Sequence, residues 1–150
     1  MRVVLQRVKK ASVSVDGDIV GRIGEGMLAL VGFENDDTTD DLQWMAGKIS
    51  RLRIFDDSDG VMNLSITDCK GEFLVISQFT LHAKVKKGNR PSYIKAAPPE
   101  ISIPLYEEFL MILKKESNLP IQKGVFGANM QVSLVNDGPV TITIDTKNKE

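Results

Sequence analysis

Two hydroxyls, an amide and an imidazole follow the apolar run 73–76, at Ser77, Gln78, Thr80 and His82. Side chains at the end of a buried strand enter loops, where binding and catalytic groups concentrate. If the chain stays extended, Thr80 and His82 share a face, and a threonine nucleophile with a histidine base is one hypothesis. No third residue is evident that would orient His82. The competing hypothesis is that these groups cap the strand end by hydrogen bonding to the backbone.

Gly138 and Pro139 are a second candidate because they restrict the backbone. Glycine adopts dihedral angles that other residues avoid, and proline fixes φ, lacks an N–H donor and permits a cis peptide bond. The carbonyl groups of the pair can therefore be held in one direction as hydrogen-bond acceptors. Taken alone, Asp-Gly-Pro before the alternating segment 141–145 indicates only a tight turn that enters a strand.

Lys86, Lys87 and Arg90 lie in one short segment that also contains a glycine and a proline. Such a loop suits contacts with phosphate groups, although a basic segment is more often a solvated surface loop. Arg7, in the first predicted strand, is a further cation. For Arg7 we weigh a buried binding role against an ordinary surface charge.

Phe126, Gly127, Ala128 and Met130 form a third candidate. The two small residues leave backbone N–H groups accessible, and the phenylalanine and methionine can form the walls of a pocket for a flat base. The alternative is an ordinary turn between strands.

Asp56, Asp57 and Asp59 precede Gly60 and raise the question of a calcium site. An EF-hand-type loop needs an acidic or amide residue five positions before its glycine, where this chain has Phe55. We therefore predict a solvated turn. With one cysteine and one histidine, the chain cannot assemble a Cys/His zinc cluster by itself, and we predict neither a metal nor a cofactor.

The composition predicts one soluble domain over residues 1–150, with 42% hydrophobic residues and a packed core. A formal net charge of −1 gives no general attraction to nucleic acid or membrane, so any such binding must be local. Charge interrupts the first apolar run too early for a signal peptide, and no apolar run is long enough to span a bilayer. We expect a cytoplasmic protein without a membrane partner.

Strand patterns occur at both ends of the chain, with two substantial helices between them. The predicted elements are a hairpin that turns at Asp16-Gly17, buried strands at 27–33 and 73–76, helices at 38–52 and 104–117, and two strands on either side of Gly138-Pro139. Thr38 and Asp41 suggest a capping box, with aspartate in place of the usual glutamate or glutamine. The pattern predicts an α+β fold with largely antiparallel sheets.

Together these segments resemble the D-aminoacyl-tRNA deacylase family nearly from end to end. The matching motifs are Leu5-Gln6-Arg7-Val8, Arg53-Ile54-Phe55, Met62-Asn63-Leu64, Ser77-Gln78-Phe79-Thr80-Leu81, Gly88-Asn89-Arg90-Pro91-Ser92, and Met130 to Thr141 with its Gly138-Pro139 pair. The serine-glutamine and glycine-proline motifs are the two signatures of that family. The resemblance implies a barrel-like homodimer that hydrolyses the ester of D-aminoacyl-tRNA, and also of glycyl-tRNA, as chiral proofreading in translation.

The resemblance also implies roles for individual residues. Gly138-Pro139, with a cis bond, would reach into the active site of the other subunit and reject L-amino acids. Ser77, Gln78, Phe79 and Thr80 would form the catalytic segment. The substrate-binding residues would be Arg7, Phe126, Gly127, Ala128 and Met130 together with the Gly-Pro pair, and the tRNA phosphates would contact Lys86, Lys87 and Arg90. The chain has Asn129 where many family members carry aspartate.

Two hypotheses for the chemistry stay open at this point. In one, Thr80 is a covalent nucleophile; in the other, it positions the substrate while the ribose 2′-hydroxyl of the tRNA assists a water molecule. We favour the second because no convincing base for Thr80 is evident. Backbone N–H groups around Phe79 and Thr80 are candidates for an oxyanion hole.

Two other functions remain as alternatives to hydrolysis of aminoacyl-tRNA. A tRNA-binding module without catalytic activity is compatible with the missing general base. A small-molecule hydrolase of the Rid-like deaminase type also uses backbone groups at subunit interfaces, but it lacks the two signatures. We expect D-aminoacyl-tRNA and a second copy of the chain as partners, and no DNA.

Overall fold

Two long strands, one at each end of the chain, organise the structure, a computed structural model that describes residues 1–150. In chain order the elements are β1 (Arg2–Val15), β2 (Asp18–Ile23), β3 (Gly26–Gly32), α1 (Thr39–Arg51), β4 (Phe55–Asp56), β5 (Met62–Leu64), α2 (Ile66–Cys69), β6 (Glu72–Ser77), a 3-10 helix (Phe79–His82), α3 (Pro99–Ser117), β7 (Ile121–Lys123) and β8 (Gln131–Asp145). The predicted α+β class with two main helices, α1 and α3, is confirmed. None of the helices combines the length and the apolar character needed to cross a membrane.

β1 lies at the centre of the sheet. It pairs antiparallel with β8 on one edge, and on the other edge it pairs antiparallel first with β3 and then with β2. β3 pairs in parallel with β6, and β6 pairs in parallel with β7, so the sheet is mixed. A Cβ on Gly21 of β2 would lie 2.9 Å from the carbonyl oxygen of Lys123 in β7. The sheet therefore curls until its two ends nearly meet, and the expected barrel-like form is confirmed.

The apolar core has two parts. The larger part packs the buried faces of α1 and α3 against the sheet, with Leu42, Ile49 and Phe109 fully buried. The smaller part fills the curled sheet between strands, where Val13 and Leu74 are fully buried. Burial of one such side chain contributes roughly 1.5–3 kcal/mol. The strand ends that carry the candidate site residues are therefore fixed by packing on both faces of the sheet.

The start of α1 confirms the predicted capping box. The N–H of Thr38 donates to Asp41 Oδ2 at 2.9 Å, and the Thr38 hydroxyl donates to the same oxygen at 3.0 Å. The shorter side chain of aspartate therefore serves in place of glutamate. The hairpin turn at Asp16-Gly17 is also confirmed, with positive φ angles of 50° and 84°.

The second main helix begins earlier than the sequence predicts. α3 starts at Pro99 and not at Pro104, so Pro99 occupies the first helical position, which tolerates a missing N–H. Pro104 lies inside the helix on its exposed side. The residue whose carbonyl it leaves without an intrahelical donor is Glu100, which is also exposed, so water can satisfy that carbonyl. The helix therefore begins at the earlier of the two prolines, whereas the sequence-based prediction placed its start at the later one.

The C-terminal segment is one continuous strand, β8, and the prediction of two strands is wrong in this respect. Its pairing with β1 is nevertheless interrupted. Gln6 pairs with Thr141 and Val8 pairs with Asn136, so residues 137–140 lie opposite the single residue Arg7. The Gly138-Pro139 pair therefore lies in an irregular bulge of four residues within one strand and not in a turn between two strands.

Candidate active site

A pocket of about 610 Å³ unites two of the predicted constellations. One side comes from the end of β6 and the 3-10 helix, and the other from the loop between β7 and β8. The lining includes Ser77, Gln78, Phe79, Tyr93, Ala97, Phe126, Gly127, Ala128, Asn129 and Met130. Two segments separated by almost fifty residues in sequence therefore face one cavity.

The segment 77–81 turns immediately after β6. The N–H of Gln78 donates to the carbonyl oxygen of Val31 at 2.7 Å, which ends the alignment with β3, and the N–H of Leu81 donates to the carbonyl of Gln78 at 3.3 Å. The chain therefore does not stay extended through His82, which the threonine-histidine hypothesis requires. In a 3-10 helix the first intrahelical bond is that of Leu81, so the N–H groups of Phe79 and Thr80 precede it and have no partner within the helix.

Thr80 has an amide as its neighbour and not a base. Gln78 Nε2 donates to Thr80 Oγ1 at 2.5 Å, and both side chains are half-buried. An amide N–H cannot remove a proton from a hydroxyl, so this contact fixes the hydroxyl oxygen without activating it. The arrangement suits a hydroxyl that orients a ligand.

His82 does not form a dyad with Thr80. Its ring is completely buried, with Nδ1 3.4 Å from Glu34 Oε1, and neither ring nitrogen makes a hydrogen bond. The imidazole therefore faces the loop after β3 and is not available to a substrate in the pocket.

The opposite wall of the pocket is supported from behind by α3. The Phe126 ring lies 5.7 Å from the Tyr106 ring, centroid to centroid, and the Tyr106 hydroxyl donates to the carbonyl oxygen of Val75 at 2.9 Å. Burial of Tyr106 raises the pKa of its hydroxyl well above the ordinary value, so the group stays a neutral donor. A Cβ at Gly124 would collide with the sulfur of Met130, so a side chain there would displace the flexible end of this methionine from the pocket wall.

Arg7 is the main support of the Gly138-Pro139 pair, whose peptide bond is cis. The Arg7 side chain is buried, and its Nε donates to the carbonyl oxygen of Asp137 at 3.0 Å. Its Nη1 donates to the carbonyl of Ile54 at 2.6 Å. These contacts engage the guanidinium with protein acceptors, so Arg7 fixes the backbone beside Gly138 within a single chain.

The Gly138-Pro139 pair itself is exposed and lies apart from the pocket of its own chain. Asn136 spans the bulge from the other side, because its Oδ1 accepts from the N–H of Val140 at 2.8 Å. The structure thus presents a rigid, outward-facing backbone segment that its own pocket does not use.

The predicted phosphate contacts lie on an exposed hairpin beside the pocket. Lys86, Lys87 and Arg90 are exposed, and the hairpin closes where the N–H of Lys84 donates to the carbonyl of Ser92 at 2.8 Å. The next residue, Tyr93, lines the pocket and was not identified from the sequence. An aromatic residue directly after a basic loop is the signal that could have identified it.

A larger pocket, of about 840 Å³, lies elsewhere, between α1 and the end of β8, with Trp44, Lys48 and Arg51 in its lining. It contains none of the predicted site residues. Its walls also carry a hydroxyl and an amide, at Thr143 and Asn148. We therefore take the smaller pocket as the candidate site, because it brings two of the predicted constellations together.

Comparison with known proteins identifies one family over nearly the whole chain. The sequence matches the D-Tyr-tRNA(Tyr) deacylase family over residues 4–145. Curated proteins named D-aminoacyl-tRNA deacylase from Porphyromonas gingivalis and Flavobacterium psychrophilum are 61% and 58% identical to it over 150 residues, which is the full length of both partners in each comparison.

Two solved structures share the fold. One, described as a c-Myc DNA Unwinding Element Binding Protein, has a TM-score of 0.92 and 43% identity, covering 97% of this chain and 98% of its own. The other, described as a probable eukaryotic D-amino acid tRNA deacylase, has a TM-score of 0.82 and 20% identity, covering 95% of this chain and 97% of its own. By sequence over its full length, the chain belongs to the D-Tyr-tRNA(Tyr) deacylase family.

Proposed function

We propose that the chain hydrolyses the ester bond of D-aminoacyl-tRNA, releasing the free D-amino acid and the tRNA. Family membership supports this activity, and so does the pocket, in which Gln78, the hydrogen-bond donor to Thr80, meets the small-residue wall at Gly127 and Ala128. The single observation that carries the mechanism is that Thr80 meets an amide and not a base. Residues 1–150 act as one domain in this proposal.

The protein positions the ester and stabilises the charge that develops on it. The N–H groups of Phe79 and Thr80, which precede the first bond of the 3-10 helix, are the oxyanion donors. Ser77 and Gln78 keep this turn in place, and the Thr80 hydroxyl orients the substrate. The attacking water is assisted by the ribose 2′-hydroxyl of the substrate itself, so no protein nucleophile is needed and no cofactor enters the reaction.

The terminal adenosine of the tRNA occupies the pocket between the two walls. Phe126 and Met130 contact the flat faces of the base, while Gly127 and Ala128 let the backbone approach its edge. Lys86, Lys87 and Arg90 contact tRNA phosphates. The reaction uses the 2′-hydroxyl, so RNA and not DNA is the nucleic-acid partner, and the cytoplasm, where tRNA is charged, is the site of action.

Chirality is read by a second copy of the chain. In a homodimer, Gly138-Pro139 of one subunit enters the pocket of the other, where its carbonyl groups accept hydrogen bonds from the α-ammonium group of the substrate. The backbone then occupies the space that the side chain of an L-amino acid would need. Because backbone held by Arg7 and Asn136 cannot rotate away, the L-enantiomer is rejected by a clash, and glycine is accepted because it has no side chain.

Incubation with D-tyrosyl-, L-tyrosyl- and glycyl-tRNA tests the proposal. Release of free D-tyrosine and glycine with little release of L-tyrosine is the expected result. Binding of D-tyrosyl-tRNA without release of the amino acid would instead identify a tRNA-binding module. Hydrolysis of a small imine with no action on any aminoacyl-tRNA would identify a deaminase-like enzyme.

A further inference from the structure

An exposed pair of aromatic rings stands at the rim of the pocket. The Phe79 and Tyr93 side chains are 57% and 39% exposed, and their ring centroids lie 5.0 Å apart with an interplanar angle of 76°. Both rings line the pocket. In this edge-to-face arrangement only one ring presents its face to the other, so flat aromatic surface remains available to a ligand.

The backbone holds Tyr93 firmly although its ring is exposed. On its N-terminal side, the N–H of Ser92 donates to the carbonyl of Lys84 at 3.0 Å, and on its C-terminal side the carbonyl of Tyr93 accepts from the N–H of Ala96 at 2.9 Å. Exposed rings on a fixed backbone lose little conformational freedom when a ligand packs on them. The exposed face of the Tyr93 ring can therefore bind a ligand at little cost in conformational entropy.

The segment of chain that carries this ring has only positive charges. Between positions 84 and 95 the chain carries five cations and no carboxylate, namely Lys84, Lys86, Lys87, Arg90 and Lys95. A ring beside a cluster of cations is the combination that binds single-stranded nucleic acid, in which bases stack on aromatic faces and phosphates meet positive charge. Charge complementarity therefore selects single-stranded RNA as the occupant over another apolar surface.

We propose that Tyr93 stacks on the base of the nucleotide that precedes the terminal adenosine of the substrate RNA. This inference rests on the proposed function, because the terminal nucleoside must occupy the pocket for the preceding base to reach its rim. Tyr93 is then a binding residue for the RNA chain and takes no part in the chemistry at the ester. A second copy of the chain that covers the ring is the competing occupant.

Two substrates separate the contributions of the ring. D-tyrosyl-tRNA contains the preceding base, whereas the D-tyrosyl ester of adenosine does not. Tyr93→Ala should lower kcat/KM for D-tyrosyl-tRNA about fivefold or more, mainly through KM, because stacking of one base on an aromatic ring is worth about this much or more. For the adenosine ester, which lacks the preceding base, the loss caused by the same variant should be several-fold smaller.

Two further variants serve as controls. Tyr93→Phe keeps the ring and should behave as the unaltered protein with both substrates. Ile94→Ala changes a neighbouring side chain that is 78% exposed and has no ring, and it should have no effect on either substrate. Equal losses by Tyr93→Ala on both substrates, or no loss on either, would overturn the proposal.

A binding measurement keeps this inference separate from the proposed function. A short RNA with 2-aminopurine at the position before its terminal adenosine should lose fluorescence when it binds the unaltered protein and Tyr93→Phe, and keep it with Tyr93→Ala. This readout needs no hydrolysis, so an inactive protein that still quenches would contradict the proposed function alone. A change in sedimentation coefficient on Tyr93→Ala would identify the ring as an interface between copies and overturn the stacking role.

Discussion

Arg7 Nε lies 3.0 Å from the carbonyl oxygen of Asp137, the residue before Gly138, and this contact links the first strand to the exposed bulge in the last. The same guanidinium contacts the carbonyl of Ile54 and, at 3.2 Å, Asp56 Oδ1. One buried side chain therefore joins three separate segments of the chain. The orientation of the Gly138 backbone depends on a residue more than a hundred positions away in sequence.

Arg7→Lys should weaken both stability and the rejection of L-aminoacyl-tRNA. A lysine carries one ammonium group and cannot reproduce the forked contacts, so buried acceptors lose partners and the free energy of unfolding should fall by about 1–3 kcal/mol. Urea unfolding and the ratio of D- to L-tyrosyl-tRNA cleavage measure the two effects. Lys9→Met, which alters a half-exposed cation that reaches only the side chains of Glu25 and Asp137, is the matched control and should change neither. An Arg7→Lys protein with an unchanged ratio of D- to L-tyrosyl-tRNA cleavage would show that rejection of L-amino acids does not depend on Arg7.

Gly138→Ala should be more harmful than the same change at another glycine with positive φ. Gly138 has a φ of 130°, and a Cβ there would lie 2.9 Å from Val140 Cγ2 and 3.1 Å from Arg7 Nη2. Gly17 has a φ of 84°, and a Cβ there would meet no atom within 4 Å, so Gly17→Ala isolates the backbone effect alone. We expect Gly17→Ala to lower the free energy of unfolding by about 1 kcal/mol. Gly138→Ala should lower it by more and should also lose deacylase activity. Thermal unfolding and the deacylase assay compare the pair, and equal losses in both variants would argue against crowding at Gly138.

Thr80→Ala should retain substantial deacylase activity. The hydroxyl accepts a hydrogen bond from Gln78 and has no base beside it, so its removal affects orientation and not bond formation. We expect a loss of kcat of about tenfold or less, far below the loss of about a million caused by removing a true serine nucleophile. The single-turnover rate with D-tyrosyl-tRNA distinguishes a positioning role from a nucleophilic one. Gln78→Ala, which removes the other partner of the hydrogen bond, should have a similar effect. A collapse to the uncatalysed rate would establish Thr80 as a nucleophile.

The features that the sequence predicts well are those decided by neighbouring residues. The turn at Asp16-Gly17 and the capping box of Thr38 and Asp41 depend on short spacings, which can be read directly. The 3-10 helix after Ser77 could not be predicted, because the chain turns there in response to pairing of Gln78 with Val31 on a neighbouring strand. Local pattern alone favoured continued extension.

The same limit applies to the candidate site. The segment at Phe126 could be identified because two small residues lie between Phe126 and Met130, and it lines the same pocket as Ser77. The contacts of Arg7 could not be predicted from the sequence, since they join residues that are distant along the chain. The basic loop before Tyr93 is a signal for this residue in the sequence, but its position at the pocket rim depends on the hairpin that precedes it.

Asp41→Asn should lower stability at neutral pH and remove part of the acid sensitivity of the protein. Partial burial alone would raise the pKa of Asp41, but hydrogen bonds from Thr38 and the charge of Lys147 outweigh it and lower the pKa to about 2. A folded-state pKa below that of the unfolded chain gives stability that is present above about pH 4 and is lost as the pH falls toward 2. The variant should therefore be less stable by about 1 kcal/mol at pH 7, and the difference should shrink over that acidic range.

Urea unfolding of the two proteins at pH 7 and at several points between pH 4 and pH 2 measures this difference. Asp40→Asn provides the control, because Asp40 is the exposed neighbour in the same first turn and does not belong to the capping box. A stability difference between Asp41→Asn and the unaltered protein that stayed constant down to pH 2 would contradict the lowered pKa of Asp41.

Neutralising Lys86, Lys87 and Arg90 to glutamine should weaken tRNA binding and flatten its dependence on salt. The three cations are exposed on a hairpin beside the pocket, so their removal should leave the fold and the cavity intact. Each phosphate contact that is lost should reduce the slope of log affinity against log salt by about 1. Hydrolysis of the D-tyrosyl ester of adenosine, which has no phosphate, should stay unchanged and serves as the internal control. An unaltered salt slope in the triple variant would remove these residues from the tRNA-binding surface and leave the pocket as the only supported contact.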